Sequence, residues 1–303
     1  MAYTTIKKPS DYFNTVLYTG DGTNSRAVTG VGFQPDFSWL KNRTGATAYH
    51  HQTFDSVRGA SAGTLYTSLT NAEDTNYTIS SFDSDGITLK ATSHDSQNAS
   101  GYTFASWHWL ASNTTASNTD GSITSTVSAN TTSGFSIVSY TGTGSNATIG
   151  HGLGTTPSMI IVKERDNANN WFVYHSSLGA TKQLILQETD AEASFTATWN
   201  DTEPTSSFFS VGTNLGTNRS GGGLIAYCFS EVKGFSKFGS YVGNGNADGT
   251  FVYTGFKPKL VIVKEYGASG NWIMKKVDLI IKMIAIYFLM ILLQKLMQMQ
   301  LLV

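Results

Sequence analysis

The sequence predicts an all-β protein built from tandem β-sandwich or jelly-roll repeats. Three observations predict it. A set of sequence anchors recurs at consistent offsets along the 303 residues. Short runs of β-branched and aromatic residues are bounded by Gly, Asn and Asp, which is typical of strands and their turns. No stretch before residue 274 shows an apolar period of 3.6 residues, so long amphipathic helices are not expected there.

Three anchors define the repeat, which is about a hundred residues long. The first is a Tyr-x-Gly-x-Gly element, found at residues 18–22, 140–144 and 241–245. The second is a proline that opens an apolar run ending in lysine, found at residues 35–41, 157–163 and 258–264. The third is an aromatic residue fourteen positions after each proline, namely Tyr49, Trp171 and Trp272. The anchors divide the chain into repeat one (1–111), a Ser/Thr/Asn-rich linker (112–133), repeat two (134–233), a truncated repeat three (234–274) and a tail (275–303).

The tail differs abruptly in composition from the rest of the chain. Residues 271–303 contain no Gly, Ser, Thr or Pro, and the apolar stretch 283–294 is too short for a bilayer span, which needs about twenty residues. One hypothesis is that a base was lost or gained near Met274, so that the tail is out of frame and repeat three is cut short. The alternative is a real terminal helix.

Composition excludes several classes of function. Only 14% of residues are charged and the formal net charge is -1, so the chain lacks the basic surface that nucleic acid requires. The single cysteine, Cys228, excludes a disulfide framework and a cysteine-based zinc site. Residues 1–10 contain no apolar run, so we expect synthesis in the cytoplasm without a signal peptide.

Four residues are candidate ligand-binding residues. Tyr49, Trp171 and Trp272 recur in the repeat, and Asn170 precedes one of them in a polar loop. An aromatic ring beside such a loop can stack on a sugar while the Asn amide binds its hydroxyl groups. Recurrence in every repeat equally suits a packing role, and the sequence favours that alternative.

Enzymatic and metal-binding patterns are weak. Glu188, Asp190 and Glu192 would share one face of a strand and resemble the carboxylates of jelly-roll glycosidases, but repeat one keeps only one of the three acids. Asp83 and Asp85 could ligate calcium, but an Asp-Gly pair between two strands is more typical of a hairpin turn. Asp55 and Arg58 are expected to form a local charge pair. We predict no catalytic residues, no metal and no cofactor.

The opening residues 1–10, the repeated Tyr-Thr-Gly-x-Gly and Gly-Phe-x-Pro elements, and Asp55-Ser-Val-Arg-Gly59 together carry a resemblance. They resemble virion and tail-associated structural proteins of marine bacteriophages, which contain tandem lectin-like (concanavalin A-like) β-sandwich modules. The resemblance implies a non-enzymatic structural or host-attachment role at the phage tail or particle surface. It implies other virion proteins, and host-surface glycans, as partners. A homo-oligomer is expected from the class alone. The rival functions are a polysaccharide depolymerase and an architectural module without a ligand.

Overall fold

The computed structural model of the chain describes residues 4–44, 49–90 and 97–276. Nearly all regular structure in this part is β-strand, so the predicted all-β sandwich class is confirmed. A short 3-10 helix (Pro9–Asp11) precedes the first strand. The predicted frame-shifted tail or terminal helix falls almost entirely on residues 277–303, which lie outside the described residues.

Repeat one contains eight strands: β1 (Phe13–Thr19), β2 (Ala27–Thr29), β3 (Phe37–Asn42), β4 (Gln52–Asp55), β5 (Leu65–Tyr66), β6 (Ile79–Asp83), β7 (Gly86–Leu89) and β8 (Thr103–Trp109). Five of them form one sheet in the order β1-β8-β3-β4-β5, and the other three form a second sheet in the order β2-β7-β6. Apolar side chains from both sheets enclose a core that includes Val28, Leu40, Phe54, Ile87 and Phe104. Repeat one is therefore a two-layer sandwich.

Repeat two contains eight strands and two helical turns: β11 (Phe135–Thr141), β12 (Ala147–Gly150), β13 (Met159–Glu164), β14 (Trp171–His175), β15 (Lys182–Ile185), β16 (Ala193–Ser194), α1 (Thr196–Trp199), β17 (Phe208–Val211), α2 (Leu215–Asn218) and β18 (Gly223–Phe229). Its main sheet has the order β11-β18-β13-β14-β15, which reproduces the order found in repeat one. Strands β12 and β17 form the second layer. The recurrence of sequence anchors therefore corresponds to a recurrence of topology.

The structure corrects the interpretation of residues 112–133 as a linker. Two strands, β9 (Ala116–Asn118) and β10 (Ser125–Asn130), lie in this segment and extend the main sheet of repeat two beyond β11. Val127 and Ile123 are buried in the repeat-two core. The polar composition concealed the strands because their Ser and Thr residues suit a pleated surface as well as a loop.

Each main sheet buries both of its faces. The face turned away from the smaller sheet packs against the main sheet of the other repeat, and we call the shared layer the inner core. Its members include Phe37, Trp39 and Trp107 from repeat one, and Ile161 and Tyr227 from repeat two. The Phe37 and Tyr227 rings lie 4.3 Å apart between centroids. Trp39 is 7% exposed in this layer.

Repeat three contributes one hairpin of the described chain. Strands β19 (Leu260–Val263) and β20 (Ile273–Lys276) pair antiparallel, with Ile262 opposite Met274. Leu260, Trp272 and Met274 pack against the inner core. By the position of its proline-to-lysine run, β19 is the counterpart of β3 and β13.

Candidate functional site: the interfaces between repeats

The interface between repeats one and two is anchored by Trp171. Its side chain is completely enclosed, with 0% exposure. The indole Nε1 donates a hydrogen bond of 2.9 Å to the carbonyl oxygen of Tyr66, at the end of β5 in repeat one. A tryptophan buried in this way contributes a large apolar area and still satisfies its single polar atom.

Three polar contacts lie beside this anchor. The backbone N–H of Asn169 donates to the carbonyl oxygen of Thr70 at 2.7 Å, and the N–H of Glu73 donates to the carbonyl oxygen of Arg165 at 2.8 Å. The Lys163 ammonium also reaches the Thr70 carbonyl oxygen, at 3.3 Å. Two main-chain hydrogen bonds and the Lys163 side chain therefore join the loop after β5 to the loop between β13 and β14, and ordinary side-chain variation would not disturb the two main-chain bonds.

The interface between repeats two and three repeats these contacts at equivalent positions. Trp272 Nε1 donates to the carbonyl oxygen of Ile185 at 3.0 Å. The N–H of Gly270 donates to the carbonyl oxygen of Thr189, and the N–H of Glu192 to that of Tyr266, both at 2.8 Å. Lys264 Nζ donates to Thr189 at 3.1 Å. One docking geometry is therefore used twice along the chain.

Because the donor and acceptor surfaces differ, each interface is heterologous, or head-to-tail. A repeat offers the loop after its fifth strand to the next repeat, and uses its own Trp-bearing hairpin to dock on the preceding one. The three repeats are grouped around one centre, since repeat one also meets repeat three, with the Tyr12 and Phe235 rings 6.2 Å apart, and all three contribute to the inner core. The site defined by this geometry is the contact between successive repeats of the chain.

A buried charge cluster distinguishes the first interface. The Arg58 guanidinium lies 2.5 Å from an Asp55 carboxylate oxygen and 3.5 Å from Glu73, and the Arg58 and Asp55 side chains are fully enclosed. The predicted Asp55–Arg58 charge pair is confirmed. Repeat two closes the cluster, since Tyr227 donates to Asp55 at 2.8 Å and Arg165 pairs with Glu73 at 2.6 Å. Burial alone would lower the pKa of Arg58, but Asp55, Tyr227 and Glu73 outweigh it and raise that pKa.

The second interface lacks this cluster. Phe37 on β3 pairs with Asp55 on β4. At the equivalent position of repeat two, Met159 on β13 pairs with His175 on β14. His175 and Leu178 therefore stand where repeat one has Asp55 and Arg58. The charge cluster makes the first interface chemically distinct from the second.

Lys163 gives the first interface a pH dependence. Its side chain is buried, and burial lowers the pKa of the ammonium from 10.5 to about 8, with Glu164 acting in the opposite direction. Between these two values the unfolded chain holds a proton that the folded chain has released, so the free energy of unfolding rises with pH. We therefore expect the free energy of unfolding of the native protein, measured in urea, to rise between pH 7 and pH 10 by about 2–3 kcal/mol more than that of a Lys163→Met variant.

The matched control is Lys264→Met, since Lys264 occupies the same position in repeat three but is only partly buried. Its pKa is lowered by burial in the same direction. The pH-dependent gain relative to this variant should be smaller. An identical stability difference at pH 7 and pH 10 for the Lys163 variant would contradict the assignment.

The predicted ligand-binding residues are not brought together into an open site. Trp171 is enclosed and Trp272 is partly buried, both with their Nε1 atoms bonded to carbonyl oxygens. The Asn170 side-chain oxygen accepts from Gln187 Nε2 at 2.6 Å. Tyr49 is partly buried in repeat one, with its ring 6.1 Å from that of Tyr102. The surroundings of Trp171 and Trp272 are those of residues with a packing role.

The structure also corrects the alignment of Tyr49 with the two tryptophans. Leu40 pairs with Gln52, and continuing this register places His51, not Tyr49, opposite Lys41. Trp171 pairs with Lys163 at the equivalent position. Nine residues lie between Lys41 and His51, and seven lie between Lys163 and Trp171, so a fixed offset from the proline misplaces the counterpart by two positions.

The carboxylates considered for glycoside hydrolysis do not lie on a strand. Residues 186–192 form the connection between β15 and β16, so the side chains of Glu188, Asp190 and Glu192 have no common strand face. Glu192 pairs with Lys182 at 3.3 Å, and its backbone belongs to the second interface. Asp85, considered as a calcium ligand, accepts from the backbone N–H groups of Gly30 and Gly32 at the predicted hairpin. Among the described residues no group of acids, His and Cys has the arrangement of a metal site.

Sequence reasoning missed one polar constellation. His108 lies between two serines, with Nδ1 2.9 Å from Ser38 Oγ and Nε2 2.8 Å from Ser106 Oγ. All three residues are fully buried, and burial lowers the pKa of His108 to about 3. Repeat two has Ile160, Ala226 and Cys228 at the corresponding positions, so the same fold holds without the polar groups. We interpret the constellation as a satisfied core network rather than a nucleophilic site.

Fold and interfaces together define a class: a multi-repeat β-sandwich protein whose repeats dock head to tail. The chain belongs to the family of a domain of unknown function, DUF7483, whose model matches residues 8–278. No curated protein and no solved structure matches it. Within the described ranges, no helix is both long and apolar enough to cross a membrane.

Proposed function

We propose that this chain is a non-enzymatic, architectural protein of a bacteriophage particle, located in the tail or on the particle surface. Its partners are other virion proteins. The observation that carries the proposal is the reuse of one head-to-tail interface between successive repeats, because it joins similar sandwich units into one body around a shared core. The sequence resemblance to phage structural proteins supplies the assignment to a virion.

The architectural role is favoured over glycan binding by the placement of the candidate aromatic residues. A tryptophan with 0% exposure, such as Trp171, cannot stack on a sugar ring without separating two repeats. Depolymerase activity is disfavoured as well, because Glu188 and Asp190 are exposed loop residues at a repeat boundary. Catalytic carboxylates need a fixed separation across a cleft.

Purified particles provide the test. Mass spectrometry of density-purified virions of the phage that encodes the chain should detect it in amounts comparable to known tail components. A multivalent display of the protein on a glycan array should show no saturable binding. Absence from the particle would overturn the virion assignment, and specific glycan binding would overturn the purely architectural one.

A further inference from the structure

The buried network of Ser38, Ser106 and His108 belongs to repeat one alone. The strand registers place three other residues at the equivalent positions of repeat two, namely Ile160, Ala226 and Cys228. All three of these residues are members of the apolar core of repeat two. The fold therefore does not require an imidazole at this place, and the network gives repeat one a property that repeat two lacks.

Hydrogen bonding fixes His108 in one neutral form. The Ser106 hydroxyl donates its single hydrogen to the carbonyl oxygen of Val16 at 3.3 Å, so the Ser106 oxygen must accept from His108 Nε2, 2.8 Å away. With the ring hydrogen on Nε2, Nδ1 is an acceptor, and the Ser38 hydroxyl donates to it at 2.9 Å. A second proton on Nδ1 would meet this donor. The network is thus complete only while His108 is uncharged.

Burial opposes a charge on His108 without compensation from a neighbour. The residue has 0% exposure, and burial lowers its pKa to about 3. The titratable groups on the adjacent strands and on the facing sheet are Tyr18 on β1, Arg26 before β2, Asp36 and Lys41 near the ends of β3, and Asp83 and Asp85 at the turn between β6 and β7. Each of them bonds to a group other than the imidazole. An imidazolium here would be a buried charge without a partner among the described residues.

The position of His108 connects this network to the rest of the molecule. β8 is a central strand, paired with β1 on one side and with β3 on the other. The residues before and after His108, Trp107 and Trp109, pack in or against the inner core. A change that loosens β8 therefore disturbs both layers of repeat one, together with the layer that repeat one shares with repeat two.

We propose that the His108 network is a pH switch for the closed form of repeat one. The repeat is stable while the imidazole is neutral, and acid favours an open form in which water solvates the protonated ring. Opening would expose the inner-core face of β8. This inference concerns the conformation of the chain and does not depend on the virion assignment.

The direction of the effect follows from the two pKa values of His108. The unfolded chain takes up a proton on this residue below about pH 6.5, whereas the folded chain does so only near pH 3. Stability is therefore lost as the pH falls below 6.5. Between pH 7.5 and pH 5, this one group should raise the equilibrium constant for unfolding by about thirtyfold.

The chain itself supplies the variant that tests the switch. Ser38→Ile, Ser106→Ala and His108→Cys combined give repeat one the side chains of repeat two at these positions. Urea unfolding of the full chain under reducing conditions, at pH 7.5 and pH 5, measures the equilibrium constant for the native protein and for the triple variant. We expect the rise in acid to be about thirtyfold larger for the native protein. The other histidines and the carboxylates are present in both proteins, so their contributions cancel.

A second measurement uses the native chain alone, and it decides the matter even if the triple variant does not fold. Nuclear magnetic resonance of the chain with isotope-labelled histidine reports the protonation of each ring. The His108 ring should keep its hydrogen on Nε2 and show no titration in the folded molecules down to pH 5. A His108 ring that titrates near pH 6.5 in the folded chain would overturn the proposal, as would an equal pH dependence of unfolding in the native protein and the variant.

Discussion

Replacing Trp171 with alanine should lower the free energy of unfolding by about 3–5 kcal/mol, the range for truncating a large aromatic residue in a packed core. Trp171 is fully enclosed in the inner core, stacked 6.5 Å from the Tyr227 ring. The substitution would remove this packing and one of the two donors to the Tyr66 carbonyl oxygen, which would keep only the N–H of Leu69 at 3.1 Å. Urea unfolding followed by tryptophan fluorescence and by circular dichroism measures the loss.

The same substitution should change the shape of the transition. Repeats one and two share the inner core, so native protein is expected to unfold both in one cooperative step. Weakening their interface should separate that step into two, as in other repeat proteins in which neighbour terms are reduced. The matched variant is Trp272→Ala, at the equivalent position of the second interface. Because Trp272 is only partly buried, this substitution should lower the free energy of unfolding by less. A loss below about 1 kcal/mol for Trp171→Ala would contradict the anchor role.

The sequence was most informative about strands that follow an anchor. The proline-to-lysine runs at residues 35–41, 157–163 and 258–264 cover all but the last residue of β3 and β13, and all of β19. A proline cannot continue a central strand, and the apolar run after it is long enough to form one. The Asp85-Gly86 turn likewise joins β6 to β7 as its residue types predict. These features are local, so local patterns suffice to find them.

The sequence pattern could not predict the inner core. The sequence suggested that each repeat closes its own two-layer stack, and repeats one and two do, but large residues such as Trp39 and Trp171 lie on the opposite face of the main sheets. A strand buried on both faces shows a continuous apolar run whether its second cover comes from its own repeat or from a neighbour. Sequence alone therefore could not tell that the recurring aromatic anchors hold repeats together. The counterpart of Trp171 in repeat one, His51, was also missed, because the connection before it is two residues longer and a fixed spacing from the proline points to Tyr49 instead.

Replacing Arg58 with leucine should be as damaging as losing Trp171, although leucine is the residue that repeat two carries at the equivalent Leu178. The change would leave Asp55 enclosed without its cation, at an expected cost of about 3–5 kcal/mol in urea unfolding. The guanidinium also donates to the carbonyl oxygens of Gly63, at 2.7 Å, and Thr53, at 3.2 Å. Both acceptors would lose a partner.

A second substitution separates charge from shape. Asp55→Asn combined with Arg58→Leu removes the uncompensated charge while leaving an oxygen for the Tyr227 hydroxyl. Because neutralising both members of a buried pair costs far less than removing one, the double variant should recover at least half of the loss. The control is Lys8→Leu, which breaks the exposed Lys8–Asp11 pair and should change stability little. If the double variant were as unstable as Arg58→Leu alone, the cluster would act through packing, and its charges would not be what joins repeat one to repeat two.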